Sequence, residues 1–462
     1  MLPKNSSGAV NMGRLIERNL LNRKWLNQNQ TNMNDHREES VHCNLPSPHN
    51  HILKTFKGYR RSDGRVGTAN YWLFIPTVFC ENRNLDVIKE ALRTELGYTS
   101  SRQYSLFTRQ LLDAYQQSEN VETTTFNPVD EANPGRIFKN VDGVKFLNHT
   151  GGCGGTRQDS ALLSSLLAAY ADHPNVGGVT ILSLGCQHLQ IENLLTDLKK
   201  RNPGYDKPLY IFEQQQIRSE EELIATAIRQ TFSGLIEINL QERELFPLSQ
   251  LSVGIVADQG LADTSSLAPS VGYAAGLFVT MGCKVLLRSS RKISFRKAQL
   301  QEFTAFEHQQ EAVQTINNYD DVGSVRSSGS AHSTIADMLD YSSPARLPGL
   351  SLVGPSANTA EAITGIVASG ATIVIFQTGN TLPTGNPLAP VITISTNPAN
   401  IGQPESISDF DVSFVDAEDK TVVTDGEKIF LFCLDVATAN TIPKAVNLMH
   451  EDFIPIRTGV SL

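Results

Sequence analysis

From residue 56 onward the chain alternates short, continuously apolar runs with longer stretches whose apolar residues recur every three or four positions. The runs at 71–76, 144–148, 178–184 and 209–212 read as strands, and 85–96, 104–117, 158–171, 190–200 and 219–232 read as helices. After Pro247 the pattern restarts, with strands at 251–257, 284–287, 350–353, 371–376 and 391–394 and helices at 271–282, 294–317 and 359–369. Strands that are apolar throughout must be covered on both faces, which parallel sheets flanked by helices achieve. The predicted fold is therefore α/β: two Rossmann-like domains with mostly parallel sheets and flanking helices, preceded by a disordered N-terminal tail. A turn at 245–250 divides a first domain, 51–246, from a second, 247–462.

Residues 1–50 differ from the rest. They are rich in Asn and carry Lys4, Arg14, Arg18, Arg23 and Lys24 against the single acid Glu17 before Asp35. An acid-poor basic start can be a transit peptide, but Leu15, Ile16, Leu20, Leu21, Trp25 and Leu26 fall poorly on one helical face. A disordered tail is expected, or a start at Met33. The net charge of −9 argues against a basic nucleic-acid surface. No apolar run reaches the roughly 18 residues of a membrane span. The six cysteines (Cys43, Cys80, Cys153, Cys186, Cys283 and Cys433) show no CxxC spacing, so neither a disulfide framework nor a zinc finger is expected. A reducing, cytoplasmic setting follows.

In parallel sheets ligands sit beyond the carboxyl ends of the strands, and the polar, chemistry-capable residues cluster there. Cys80, Glu81, Asn82 and Arg83 follow the first strand; Gly185, Cys186, Gln187 and His188 follow the third; Glu213, Gln214 and Gln215 follow the fourth. The second strand runs into His149-Thr-Gly-Gly-Cys-Gly-Gly-Thr-Arg-Gln-Asp159, four glycines between strand and helix. Gly151, Gly152, Gly154 and Gly155 allow a tight turn and close approach of a ligand to the amides. Thr156 and Arg157 open the next helix, whose first N–H groups favour an anion. His149 and Glu81 or Glu213 are candidate proton carriers, and Cys153 is a thiol near a helix N-terminus. His149 and Cys186, with Cys153 and His188, are the clustered soft donors for a divalent metal such as iron or zinc. Arg65 and Arg83 suit a carboxylate through the guanidinium fork. In the second domain Thr378 and Gly379 occupy an equivalent strand end. The plainer alternative is a Gly-rich connector with a buried cysteine. The turn lacks the Gly-Lys-Ser/Thr ending of a phosphate loop and the GxGxxG of a dinucleotide site, and no Gly-x-Ser-x-Gly ends a strand.

These stretches resemble those of the altronate/galactarate dehydratases, sugar-acid lyases. The matching residues include Phe56-Lys-Gly-Tyr-Arg-Arg-Ser-Asp-Gly-Arg-Val-Gly-Thr-Ala-Asn-Tyr71, Pro76-Thr-Val-Phe-Cys-Glu-Asn-Arg-Asn84, the whole Gly-rich turn, Leu182-Ser-Leu-Gly-Cys186, Phe212-Glu-Gln-Gln215 and Asp452-Phe-Ile-Pro455. The resemblance covers nearly everything from about residue 54. It implies dehydration of an acid such as altronate or galactarate to a 2-keto-3-deoxy acid, with a divalent metal, Fe2+ by preference or Mn2+. It implies a small-molecule sugar acid as partner and no nucleic acid or membrane. Candidate protein partners are a separate small β-domain subunit and a second copy of the chain.

The departures lie in the second domain. An acidic Glu-Cys-Gly-Gly-Ser-Asp-Gly stretch corresponds here to Val256-Ala-Asp-Gln-Gly-Leu-Ala-Asp263, without that Glu or Cys. A Ser-Glu-x-Pro-Glu element appears as Arg288-Ser-Ser-Arg-Lys292, and a Pro-Gly-Asn-Asp turn as Pro355-Ser-Ala-Asn358. A lysine expected after Pro390 is Thr393, a loop near 319–323 is shortened, and only 39–44 resembles the small N-terminal domain. Replacing acids by Arg and Lys repels a cation. Two expectations follow: an active dehydratase with an altered site, or a catalytically impaired protein that binds a sugar acid or regulates a partner.

Overall fold

The computed structural model describes residues 55–98, 103–126, 135–154, 156–258, 267–288, 335–354, 356, 358–379, 383–397, 407–412 and 419–457. The tail at 1–50, the helix at 294–317 and the departures at 289–292 and 319–323 lie outside them.

Strands β1 (Thr55–Arg60), β2 (Val66–Gly67) and β3 (Tyr71–Pro76) lead to helices α1 (Asn82–Leu96) and α2 (Gln103–Gln116). Then come β4 (Gly143–Phe146), α3 (Arg157–Asp172), β5 (Val176–Ser183), α4 (Ile191–Arg201), β6 (Leu209–Glu213), α5 (Glu220–Ile238) and β7 (Glu244–Pro247). The four strands β4-β3-β5-β6 form one parallel sheet in that order. Every residue of β3 and β5 is buried, as strands covered on both faces require. Helix α1 turns Leu85, Ile88, Leu92 and Leu96 inward at three- and four-residue spacing.

The second half contains β8 (Ser252–Ala257), α6 (Pro269–Thr280), β9 (Lys284–Arg288), β10 (Ile335–Leu339), β11 (Gly349–Val353) and α7 (Thr359–Ala368). It ends with β12 (Ile373–Thr378), β13 (Val391–Ser395), β14 (Phe410–Asp411), α8 (Asp419–Thr438) and α9 (Lys444–Asn447). Its parallel sheet has the order β10-β11-β9-β8-β12-β13-β14. Without the edge strand β10 this is the doubly wound order 3-2-1-4-5-6. The α/β class with parallel sheets and flanking helices is therefore as expected, and no helix of the described residues is long and apolar enough to cross a membrane.

The region read as a turn at 245–250 contains a strand. β7 pairs antiparallel with β1, setting Phe56 opposite Phe246, both buried. Elements α8, β10 and β14 were not expected from the pattern either. Helix α8 buries Ile429, Phe430, Cys433 and Val436 against α6, with the Phe278 and Phe430 rings 4.6 Å apart.

The sheets change at Pro247, yet one apolar cluster spans both, joining Leu73, Ile75 and Leu167 to Val256, Ile363 and Ala389. Polar bonds reinforce it. Asn386 Nδ2 donates to the Tyr170 hydroxyl at 2.8 Å, which donates to Thr364 O. Asn175 Nδ2 donates to Thr372 O and Leu388 O. The described residues form one compact unit.

Candidate functional site

The chain leaves β3 toward β4 on one side and leaves β5 toward β6 on the other, so the first sheet has its switch crevice at the carboxyl ends of β3 and β5. The Gly-rich turn crosses this crevice. Phe79 N–H, after β3, donates to Gly151 O at 3.0 Å, and His188 N–H, after β5, donates to Gly152 O at 3.0 Å. Gln215 N–H, after β6, donates to Leu184 O at 3.3 Å. Loops from all four strands thus share one hydrogen-bonded floor. Gly152 adopts φ +95°, and a Cβ there would lie 2.2 Å from Thr77 O. Only glycine lets the turn sit this close to β3.

His149 is buried beneath the turn. Gly151 N–H donates to its Nδ1 at 3.1 Å, and its Nε2 meets Pro76 O at 2.8 Å. Because a carbonyl only accepts, Nε2 carries the proton. Burial pushes the imidazole down to about 4, with the Arg457 charge adding and the bond to Pro76 opposing. The expectation of a proton carrier or metal ligand meets a neutral ring with both nitrogens committed to backbone. Its physical task here is to hold the turn against β3.

Glu81 is fully buried between Phe79 and Asn82, both bonded to the turn; Asn82 Nδ2 donates to His149 O at 2.9 Å. Glu81 Oε2 accepts from Asn84 Nδ2 at 2.9 Å, and Oε1 has no partner among the described residues. Burial raises its carboxyl above the usual range; the Asn84 bond partly offsets this and Glu220 adds to it. Such a group holds a proton more readily than an exposed carboxylate.

A cleft of about 500 Å³ opens over the turn. One wall is the turn from Asn148 to Gly154 with the first residues of α3; the other is the segment 453–457, with Glu361 of α7. That segment is strapped across the two sheets. Asp452 Oδ2 accepts from Gly385 N–H at 3.2 Å, and a Cβ at Gly385 would lie 1.9 Å from His450 O. Glu451 bridges Lys145 at 2.8 Å and Arg93 at 2.5 Å. Burial alone would raise Glu451, but Lys145 and Arg93 outweigh it and hold the carboxyl down at about 2. Phe453 packs on Tyr170, and Arg457 Nη2 donates to Thr150 O at 3.1 Å and to Thr150 Oγ1 at 2.5 Å.

Other candidates fall elsewhere. Cys153 and Gly154 are exposed on the turn, and Gly155 lies outside the described residues. The Thr156 hydroxyl caps α3, accepting from Asp159 N–H at 3.1 Å while donating to Asp159 Oδ2 at 2.7 Å. Arg157 faces an outer groove that it shares with His188. Arg83 is exposed and paired with Glu220. Glu213 accepts from Gln216 at 2.9 Å, next to Gln214, while Gln215 and Cys186 are exposed. Arg65 is not at this cleft: it pairs with Asp172, at the far end of α3. Thr378 is buried at the end of β12, followed by Gly379, and neither lines the cleft.

Among the described residues no three His, Cys, Asp or Glu side chains converge on one point. With both nitrogens of His149 engaged, a divalent Fe2+ or Mn2+ ion does not fit this donor set.

Arg457, Phe453 and Glu361 line the cleft without having been singled out as site residues. The signal was present in Asp452-Phe-Ile-Pro455, which matched as a motif but had no neighbour in sequence to give it a place.

Comparison with known proteins bears on both walls. The family model described as D-galactarate dehydratase/Altronate hydrolase, second domain, matches residues 58–239, and D-galactarate/Altronate dehydratase, C-terminal, matches 310–461. The chain is 22% identical over 380 residues to the altronate dehydratase of Bacillus subtilis (strain 168), covering 76% of this chain and 67% of that protein. It is 23% identical over 386 residues to the altronate dehydratase of Escherichia coli (strain K12), covering 76% and 68%. To the galactarate dehydratase (L-threo-forming) of Escherichia coli (strain K12) it is 26% identical over 303 residues, covering 58% of this chain and 57% of that protein.

Proposed function

The chain belongs to the altronate/galactarate dehydratase family, and from that premise we propose that it is a carbon–oxygen lyase that removes water from a sugar acid held in the cleft over the Gly-rich turn. Altronate and galactarate are the substrates to try first, since relatives carry those names. The observation that carries this reading is the cleft itself, whose two walls come from the two stretches that the family models match. In this reading Arg457 and the amides of the turn hold the carboxylate, as guanidinium and backbone N–H groups do. A base takes the proton from the carbon beside the carboxylate, the hydroxyl on the next carbon leaves with a proton as water, and the enol tautomerises to the 2-keto-3-deoxy acid. Glu81, buried behind the turn and not itself lining the cleft, is the candidate to supply a proton toward the departing hydroxyl once a substrate is seated, a role suited to a raised carboxyl. Cys153 is the exposed group on the turn, and His149 is a positioning residue.

A second reading, binding of a sugar acid without turnover, is favoured by the donor set: His149 is committed and no three metal donors converge among the described residues. One assay divides the two. Purified full chain, with iron or manganese supplied, is incubated with altronate and with galactarate, and 2-keto-3-deoxy acid is measured. Product formation that falls at least ~100-fold in Glu81→Gln is the expected result for a lost acid. Thermal stabilisation by the acids without product supports the second reading. The absence of both product and stabilisation overturns the substrate class.

A further inference from the structure

A second cleft, of about 430 Å³, lies at the other end of α3. Asp159 at the first cleft and Asp172 at this one are separated by roughly 20 Å of helix. Its walls bring together Arg65, Arg201, Lys284 and Arg346 with Asp63 and Asp172. The acids are already taken. Arg65 Nη2 lies 2.5 Å from Asp63 Oδ2 and 2.6 Å from Asp172 Oδ1, and Arg201 Nε lies 3.5 Å from Asp172 Oδ2. Four cations face two acids, and Lys284 and Arg346 have no ion pair among the described residues.

One further group is unsatisfied: Ser252 is 6% exposed and its Oγ has no hydrogen-bond partner among the described residues, whereas Arg201 is held by Asp172 and by the carbonyls of Ser342 and Ala368. Ser252 and Lys284 are register partners at the starts of β8 and β9, so backbone pairing fixes them side by side. Burial, with the neighbouring charge of Arg65, lowers the proton affinity of Lys284. An anion between these groups relieves that crowding and satisfies the buried hydroxyl.

We propose that this cleft is a binding site for a phosphate group, either free inorganic phosphate or the phosphoryl end of a small metabolite. Cations and a hydroxyl on separate walls suit a tetrahedral dianion with acceptors on several sides better than a planar carboxylate. The site is independent of the sugar-acid reading, since it shares no residue with the first cleft.

The test is calorimetric titration of the full chain with inorganic phosphate, and separately with glycerol 3-phosphate, at constant ionic strength set with chloride. Saturable binding is expected, weakened at least ~10-fold by Lys284→Met and by Arg346→Ala and unchanged by Arg457→Ala in the other cleft. Ser252→Ala is expected to weaken binding while leaving the melting temperature without phosphate unchanged. Tighter binding of glycerol 3-phosphate assigns the site to a metabolite; tighter binding of inorganic phosphate assigns it to the free ion. If Lys284→Met fails to fold, Arg346→Ala decides, because Arg346 is exposed. The proposal is overturned by no saturable binding, or by equal binding in wild type, Arg346→Ala and Ser252→Ala.

Discussion

The two parallel sheets each have a switch crevice, and they use it in opposite ways. In the small sheet the crevice between β3 and β5 is occupied by the chain's own backbone, Gly152 lying against Thr77. In the large sheet the crevice lies between β8 and β12, where Asp258 N–H donates to Gln377 O at 2.8 Å and Thr359 Oγ1 donates to Asp258 Oδ1 at 3.1 Å. There Gly379 follows β12, and among the described residues a Cβ would meet nothing nearer than Thr396 Oγ1 at 3.7 Å. A crevice plugged by backbone tolerates almost no change of residue, whereas one framed by side chains can change them and keep its fold. The resemblance, for its part, leaves the Gly-rich turn with its motif and puts the departures in the second half of the sequence.

Three substitutions, with Gly379→Ala as the reference for the first, strain this comparison in falling order of expected effect. Gly152→Ala combines a left-handed φ with a clash against backbone, and a loss of ~4 kcal/mol is expected, while Gly379→Ala is expected to stay within ~1 kcal/mol. Urea unfolding of both variants measures it, and equal losses would erase the contrast between the crevices. Glu451→Gln leaves the buried Arg93 and the partly buried Lys145 uncompensated, a loss of ~3 kcal/mol. The folded carboxyl lies at about 2, below its unfolded value. Its contribution is therefore complete above about pH 4.5 and lost as pH falls toward 2; acid titration of stability should show that step in the wild type and not in the variant. His149→Gln removes two backbone bonds for a loss of ~2 kcal/mol. The folded imidazole at about 4 lies below its unfolded value near 6.5, so its share of stability is full above pH 6.5 and fades as pH falls toward 4. A variant with the wild-type pH slope across that window would show that His149 is not held neutral by the turn.

Much of the fold was legible because its strands are apolar along their whole length, a pattern only two-sided burial explains. The short strand β7 was not, since Glu244, Leu245 and Pro247 are exposed and pairing with β1 across nearly two hundred residues makes it a strand. The Gly-rich turn could be placed from its own residues. Arg65 could not, because its fork suits any carboxylate and the one it meets is Asp172 of the same chain. The cleft's second wall was hidden for the same reason: Phe453 and Arg457 acquire their meaning only from Tyr170 and Thr150.

The strap has a kinetic consequence. Arg457 and Thr150 are 307 residues apart, and contacts of such long range form only after the intervening loop is closed, which slows them. During refolding, helix content is expected to return before the cleft exists. Ligand binding at the turn would then report completed folding rather than the presence of secondary structure, and the interval between the two signals would measure how late the chain closes over its own site.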